Sequence, residues 1–123
     1  MKRLSALILV SLIASAPSMA LAAGDAAKGA KVFARCQICH SVEPGKKASV
    51  GPNLAGVVGR KVGSTAFTYS AAMKSANFAW TTDKLDAFLK QPASVVKGTK
   101  MAFGGLPNPQ DRADLTAFLA TKK

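Results

Sequence analysis

The run CQICH, at positions 36–40, holds both cysteines and the single histidine of this 123-residue chain. On a helical turn, residues spaced i, i+3 and i+4 project from the same face, so Cys36, Cys39 and His40 would point in one direction. Any disulfide, redox or metal chemistry that needs cysteine or histidine must therefore be located at this run.

Several chemistries compete for the run. A thioredoxin-like pair needs C-x-x-C within a strand-helix-strand unit, but residues 25–34 have a helical pattern capped by Asp25 and nothing upstream resembles a strand. An oxidising compartment would permit a disulfide. Zinc needs about four protein ligands, and the chain offers three. The spacing C-x-x-C-H is the attachment signature of c-type haem. We therefore predict one haem c, bound covalently through Cys36 and Cys39, with His40 as an iron ligand.

Residues 1–22 have the layout of a secretory signal peptide: a basic start, an apolar run over residues 4–16 and an A-x-A pattern that ends at Ala22. We predict cleavage after Ala22, export to the periplasm and a single domain over residues 23–123. The apolar run is shorter than the roughly 20 residues that span a bilayer. A retained signal, giving a membrane-tethered form, is the alternative.

The chain is strongly basic, with a net charge of +11 that falls to +9 when Lys2 and Arg3 leave with the signal. Such an excess favours an acidic protein surface, an anionic membrane or a nucleic acid as partner, and export argues against nucleic acid. Alternatively, the lysines only keep an exported protein in solution. The lysines that we expect to steer docking are Lys31, Lys46, Lys47, Lys97 and Lys100.

The chain has no second histidine, so the second axial position of the iron would be taken by methionine, by a weaker ligand such as lysine, by water, or would stay open. Met73 lies in a helical pattern, where methionine usually fills a core. Met101 lies in the glycine-containing loop VKGTKMAFGG, which can cover the far haem face after Pro92 ends the preceding helix, so we favour Met101. A thioether raises the reduction potential, and two axial ligands keep dioxygen and peroxide off the iron.

Further helical patterns cover residues 81–92 and 108–123, whereas strand signals are nearly absent. The predicted fold class is all-α, with three to five helices around one haem.

Gly29, inside the first helix, costs about 1 kcal/mol of helix stability relative to alanine, which a close helix crossing against Phe118 would explain. A tolerated surface glycine is the alternative.

Together these motifs resemble class I cytochrome c, of the mitochondrial and alphaproteobacterial type. The resemblance covers the whole mature chain and rests on CQICH, GPNLAGVVGRKVG, FTYS, Trp80, FLKQP, GTKMAF and DLTAFL in that order. It implies His40 and Met101 as axial ligands and Pro52 as the carbonyl that holds His40. It also implies haem contacts, at the inner propionate or over the haem beside the methionine, from Arg60, Tyr69, Trp80, Thr99 and Phe103.

Three positions depart from the family pattern. Phe88 stands where close relatives have a tyrosine near the methionine, and Met73 stands where an asparagine is usual. Lys97 replaces a proline that stiffens the ligand loop. The loss of polar groups should raise the potential, and the looser loop should ease replacement of the methionine by Lys97 or Lys100 at high pH.

The function predicted from the sequence is that of a monomeric electron carrier, not an enzyme. It would dock on acidic surfaces of membrane redox complexes: a quinol-cytochrome c oxidoreductase, a terminal oxidase or a photosynthetic reaction centre. The alternative is a haem peroxidase or a gas-binding cytochrome with an open sixth position. Four-helix cytochromes of that kind carry C-x-x-C-H near the C-terminus, whereas here Cys36 is the fourteenth residue after the predicted cleavage site.

Overall fold

The helices of this protein are short and are joined by long loops. The structure, a computed structural model, describes residues 23–123, so the predicted signal peptide lies outside the described residues. Within this part of the chain the only extended pairing is an isolated antiparallel bridge between Lys61 and Ala79. The predicted all-α fold class is confirmed. The helices are α1 (Ala26–Phe33), α2 (Ala71–Ser75), α3 (Thr82–Lys90), α4 (Pro92–Val95) and α5 (Pro109–Ala120).

Side-chain caps explain where the helices begin. Asp25 accepts a hydrogen bond from the Lys28 backbone N–H at 3.0 Å and so caps α1, as its sequence pattern predicts. Residues Ser70, Thr81 and Asn108 cap α2, α3 and α5 in the same way. The structure corrects one expectation: α3 ends before Pro92, but Pro92 then opens α4. Proline suits this first helical position because its missing N–H would have no partner there.

Helices α1 and α5 cross in close contact at Gly29. Gly29 is buried there, and an ideal Cβ on it would lie 1.9 Å from the Asp114 backbone oxygen and 2.7 Å from the Phe118 Cβ. The rings of Phe33 and Phe118 pack at 5.2 Å between centroids. The predicted crossing at Gly29 is confirmed, and Phe33, at the end of α1, is thereby anchored three residues before Cys36.

Two buried charged side chains attach other segments to α5, and the sequence patterns missed both. Asp114 accepts hydrogen bonds from the Asp25 backbone N–H at 2.8 Å and from Gln110 Nε2 at 3.0 Å. Arg112 donates to Asp86 at 2.7 Å and to the Leu106 carbonyl at 2.8 Å. Helix α5 therefore holds the start of α1, helix α3 and the chain beyond α4 in one unit. No helix within residues 23–123 has both the length and the apolar character needed to cross a bilayer.

Candidate haem site

The CQICH run continues directly from α1 as a series of tight turns. The Cys36 N–H donates to the Phe33 carbonyl at 2.7 Å, and the His40 N–H donates to the Cys36 carbonyl at 2.9 Å. The second of these is a helical i to i−4 bond, which is the local geometry that the i, i+3, i+4 spacing predicts. Both thiols are free and half-buried. The turn therefore presents two sulfurs and one imidazole from adjacent positions.

The imidazole of His40 is held by the backbone of the next loop. His40 Nδ1 lies 2.7 Å from the Pro52 carbonyl oxygen, to which it donates in the tautomer that leaves Nε2 unprotonated. Gly51 packs against the imidazole ring, since an ideal Cβ there would lie 2.4 Å from His40 Cε1. The Gly51 N–H donates to the Cys39 carbonyl at 2.8 Å, which ties the loop to the cysteine turn. The nitrogen left to bind a metal is Nε2.

This donor set fits a haem better than it fits a bare metal ion. Within residues 23–123 no group of three or more His, Cys, Asp or Glu side chains is arranged to hold an ion. Burial raises the pKa of the Cys36 thiol, an effect that nearby Arg35 partly offsets and Cys39 reinforces, so this sulfur is a thiol at neutral pH. Two free thiols beside one imidazole with an open Nε2 match two thioether links and one axial ligand. Cavities of about 340 and 160 Å³ adjoin His40.

Met101 lies in an irregular loop between α4 and α5. The Met101 N–H donates to Thr99 Oγ1 at 3.3 Å, and the Phe103 N–H donates to the Met101 carbonyl at 3.0 Å. Met101 and Phe103 are half-buried against the core, although Met101 lines neither cavity beside His40. Met73, the other methionine within residues 23–123, lies on α2 and packs against the core, as methionines in helices usually do.

The loop before α2 carries Arg60 and Tyr69, and the segment between α2 and α3 carries Trp80. The Trp80 N–H donates to the Arg60 carbonyl at 2.8 Å, and the guanidinium of Arg60 donates to the carbonyls of Ala55 at 2.9 Å and Asn53 at 3.1 Å. Burial lowers the pKa of Arg60 and neighbouring Tyr69 partly offsets this, but an arginine stays charged at neutral pH. The Thr99 hydroxyl instead accepts a hydrogen bond from the Met101 N–H in its own loop. No hydrogen bond within residues 23–123 connects Thr99 to Arg60, Tyr69 or Trp80.

Two polar residues of the site were missed by the sequence patterns. Asn53 Nδ2 donates to the carbonyls of Glu43 at 2.7 Å and Lys46 at 2.8 Å, and its Oδ1 accepts from the Ala55 N–H. The proline-asparagine pair after Gly51 was the available signal, because asparagine readily bonds to the backbone two residues on. Thr65 forms a hydrogen bond with the hydroxyl of Tyr69. These contacts fix the loops that carry Pro52 and Tyr69.

Phe88, one of the departures from the family pattern, is part of the buried core. Its ring packs edge-on against Trp80 at 4.8 Å between centroids, and Trp80 packs against Phe78 at 4.9 Å. Both contacts are between aromatic rings, and because residue 88 is a phenylalanine it places no hydroxyl in the interior. The core beside Trp80 is therefore less polar than the family pattern implies.

A small helical fold with a C-x-x-C-H turn and a carbonyl-bound histidine defines a c-type haem protein. The sequence model of the cytochrome c family matches residues 26–123. Cytochrome c2 of Rhodomicrobium vannielii is 55% identical over 104 residues, covering 84% of this chain and 83% of that protein. Cytochrome c of Arabidopsis thaliana is 47% identical over 98 residues, covering 78% and 88%. The solved structure of cytochrome cH from Methylobacterium extorquens matches with a TM-score of 0.76 at 42% identity, covering 80% of this chain and 100% of that one.

The chain belongs to the cytochrome c family, as a class I c-type cytochrome. It is an electron-transfer protein and not an enzyme, and its cofactor is covalently attached haem c. These findings confirm the fold class, the cofactor and the broad function that the sequence predicts.

Proposed function

We propose that this cytochrome is a monomeric periplasmic electron carrier in which Cys36 and Cys39 hold the haem and His40 and Met101 bind its iron. When bound, haem c supplies a one-electron couple between ferrous and ferric iron. The observation that carries this proposal is the 2.7 Å contact between His40 Nδ1 and the Pro52 carbonyl. A histidine whose Nδ1 is occupied by a carbonyl offers Nε2 to iron in a fixed orientation.

The residues around the His40 turn support a site in which the ligand geometry is held constant. Gly51 leaves room for the imidazole and Pro52 sets its tautomer, so His40 need not move when the charge of the site changes. The Thr99 and Phe103 contacts hold the Met101 loop from both sides. A loop ligand of this kind excludes water and other small molecules from the second axial position, which favours a carrier over an open-site haem protein.

Arg60, Tyr69, Trp80 and Thr99 are proposed to hold the inner propionate, with Phe103 covering the haem beside Met101. A guanidinium has five N–H donors, and the backbone carbonyls of Ala55 and Asn53 take two of those of Arg60. The remaining donors can pair with a carboxylate. The charge of Arg60 would then offset the negative charge of the buried propionate.

The surface charge supports docking on acidic proteins. Lys31, Lys46, Lys47, Lys97 and Lys100 are all exposed. Within residues 23–123 the ion pairs are Lys46 with Glu43 and Arg112 with Asp86, so most of the positive charge has no internal counterion. The proposed partners are acidic surfaces of a quinol-cytochrome c oxidoreductase, a terminal oxidase or a photosynthetic reaction centre. The predicted signal peptide over residues 1–22 supports the periplasmic location.

Spectroscopy of the holoprotein tests the proposal. We expect the ferric form to show the weak near-infrared charge-transfer band of a sulfur-iron bond, and the ferrous form to resist carbon monoxide at neutral pH. Rapid carbon monoxide binding by the native protein would instead identify an open sixth position and would contradict the carrier assignment.

A further inference from the structure

One loop carries the acceptors that hold both His40 and Arg60. The Pro52 carbonyl oxygen lies 2.7 Å from His40 Nδ1, and the guanidinium of Arg60 donates to the carbonyls of Asn53 at 3.1 Å and Ala55 at 2.9 Å. These three carbonyls belong to one short stretch of backbone. A displacement of that stretch must therefore change the surroundings of the imidazole and of the guanidinium together.

The side chain of Asn53 is hydrogen-bonded at both of its polar atoms. Its Nδ2 donates to the carbonyls of Glu43 at 2.7 Å and Lys46 at 2.8 Å, and its Oδ1 accepts from the Ala55 N–H at 2.8 Å. The first two bonds attach the loop to the turn that follows His40 in the chain. The third bond closes a turn within the loop itself, as asparagine side chains often do.

An amide is the side chain that this arrangement requires. Its NH₂ group offers two donors to two carbonyls while its oxygen stays free to accept. An aspartate would set an oxygen against the carbonyls of Glu43 and Lys46. A serine has one hydroxyl proton and so cannot donate to both carbonyls at once.

Backbone hydrogen bonds hold the rest of the loop. The Leu54 N–H donates to the Ser41 carbonyl at 2.7 Å, and the Gly56 N–H donates to the Lys122 carbonyl at 2.7 Å. These bonds do not involve a side chain of the loop, so they can persist when the side chain at position 53 is changed. Loss of the asparagine amide should then shift the loop locally and leave it attached to the fold.

We propose that Asn53 is a positioning residue that sets the orientation of His40 and the place of Arg60 together. This inference rests on the proposed function, in which His40 binds the iron and Arg60 pairs with a propionate, and it adds the side chain that couples the two. The bonds from Asn53 to the preceding turn fix the path of the loop. That path aims the Pro52 carbonyl at the imidazole and the next carbonyls at the guanidinium.

The reduction potential alone does not test this role, because two effects of opposite sign contribute to it. A weaker bond at His40 Nδ1 makes the imidazole a poorer donor to ferric iron and raises the potential. A displaced Arg60 guanidinium leaves the negative charge of a propionate less offset and lowers the potential. The measurement must therefore report on each side chain separately.

The experiment is proton exchange with solvent, measured by NMR on the ferrous holoprotein at His40 Nδ1–H and at the Arg60 guanidinium. We expect Asn53→Ala to accelerate both about fivefold, the factor that corresponds to the net contribution of one ordinary hydrogen bond. Asn53→Ser should have the same effect, because its hydroxyl can restore the turn bond to the Ala55 N–H but not both bonds to the preceding turn. Asn77→Ala removes an exposed asparagine and should leave both rates unchanged.

Four outcomes would overturn the proposal. The first is unchanged exchange in both Asn53 variants, and the second is acceleration at only one of the two side chains. The third is full recovery in Asn53→Ser, which would assign the effect to the turn within the loop. The fourth is an equal acceleration at the Leu106 N–H, which donates to the Leu89 carbonyl at 2.7 Å, because the effect would then be a general loss of stability. Asn53→Ser keeps the local turn and so provides the test in the variant closer to the native loop.

Failure of this inference can be distinguished from failure of the proposed function. The wild-type holoprotein alone reports on the function, through the sulfur-iron band and its resistance to carbon monoxide. A wild type with both properties, whose Asn53 variants exchange protons at the native rates, would overturn the positioning role and leave the axial ligands standing. A wild type without that band would contradict the ligand assignment, whatever the exchange rates of the variants.

Discussion

Asp114 on α5 accepts a hydrogen bond from the backbone N–H of Asp25, 89 residues earlier in the chain, at a distance of 2.8 Å. The carboxylate is buried, with 3% of its surface exposed, and Gln110 donates to the same oxygen. A single charged oxygen thus joins the N-cap of the first helix to the last helix. The stability of this junction must depend on pH.

The first prediction concerns acid stability. The hydrogen bond from the Asp25 backbone, followed by that from Gln110, lowers the pKa of Asp114 in the folded state. The resulting stabilisation is fully present above the pKa of an unfolded aspartate, about 3.9, and is lost as the pH falls through the lower folded pKa. Asp114→Asn should therefore weaken the dependence of unfolding free energy on pH in this acid range, measured by urea denaturation. Asp111→Asn, on the same helix, is the control and should preserve that dependence.

A second prediction concerns the helix crossing. Gly29→Ala would place a Cβ 1.9 Å from the Asp114 backbone oxygen, and a backbone atom cannot move aside as a flexible side chain can. We expect a loss of about 3 kcal/mol in unfolding free energy, near the upper end for overpacked sites. Gly104→Ala is the control, because an ideal Cβ at Gly104 meets nothing within 4 Å. Equal stabilities of the two variants in chemical denaturation would show that α1 and α5 can separate at no cost.

A third prediction concerns the position of His40. Gly51→Ala would place a Cβ 2.4 Å from His40 Cε1, so either the imidazole must tilt or the Pro52 carbonyl must move away from Nδ1. We expect a shifted reduction potential and altered proton NMR resonances of the histidine ligand, with most of the fold retained. A structural effect alone would lower the melting temperature and leave both signals unchanged. That result would contradict a positioning role for Gly51.

A fourth prediction separates the two methionines. Met101→Ala should abolish the sulfur-iron band and lower the reduction potential by a sizeable part of the roughly 0.8 V range that axial ligands span. Met73→Leu keeps the volume of a core side chain and should leave the band in place, at a cost of less than about 1.5 kcal/mol. The absorption spectra of both ferric variants decide between them. A band that survives in Met101→Ala and disappears in Met73→Leu would reverse the assignment.

Local signals explain why much of the fold could be predicted from the sequence. The helix starts at Asp25 and Asn108 follow from capping chemistry, which involves residues two or three positions apart. The CQICH turn likewise depends on the spacing of adjacent residues. The turn at residues 36–40 and the start of α5 could therefore be predicted without knowledge of the tertiary structure, whereas α5 ends at Ala120, three residues before the end of the predicted pattern.

The parts that could not be predicted depend on distant partners. Arginine is usually found at the surface, and the burial of Arg112 is compensated by its bonds to Asp86, 26 positions earlier, and to the Leu106 carbonyl. Asn53 could be expected to form a turn, but its bonds to the Glu43 and Lys46 carbonyls require a particular path of the preceding loop. Sequence periodicity carries no information about such contacts, because they form only when the helices and loops pack.

The last prediction concerns removal of the cofactor. A domain of about 100 residues buries too little apolar surface for a large margin of stability, and here several apolar side chains near the site, Cys36, Met101 and Phe103 among them, are only half-buried. A group that binds only the folded state adds its binding free energy to the stability of the protein. The variant with Cys36→Ala and Cys39→Ala, expressed without attached haem, should therefore lose most of its helical circular dichroism at neutral pH. Retention of native helix content together with a cooperative thermal transition would show that the α1 and α5 crossing, with the Asp114 and Arg112 contacts, is sufficient to fold the chain.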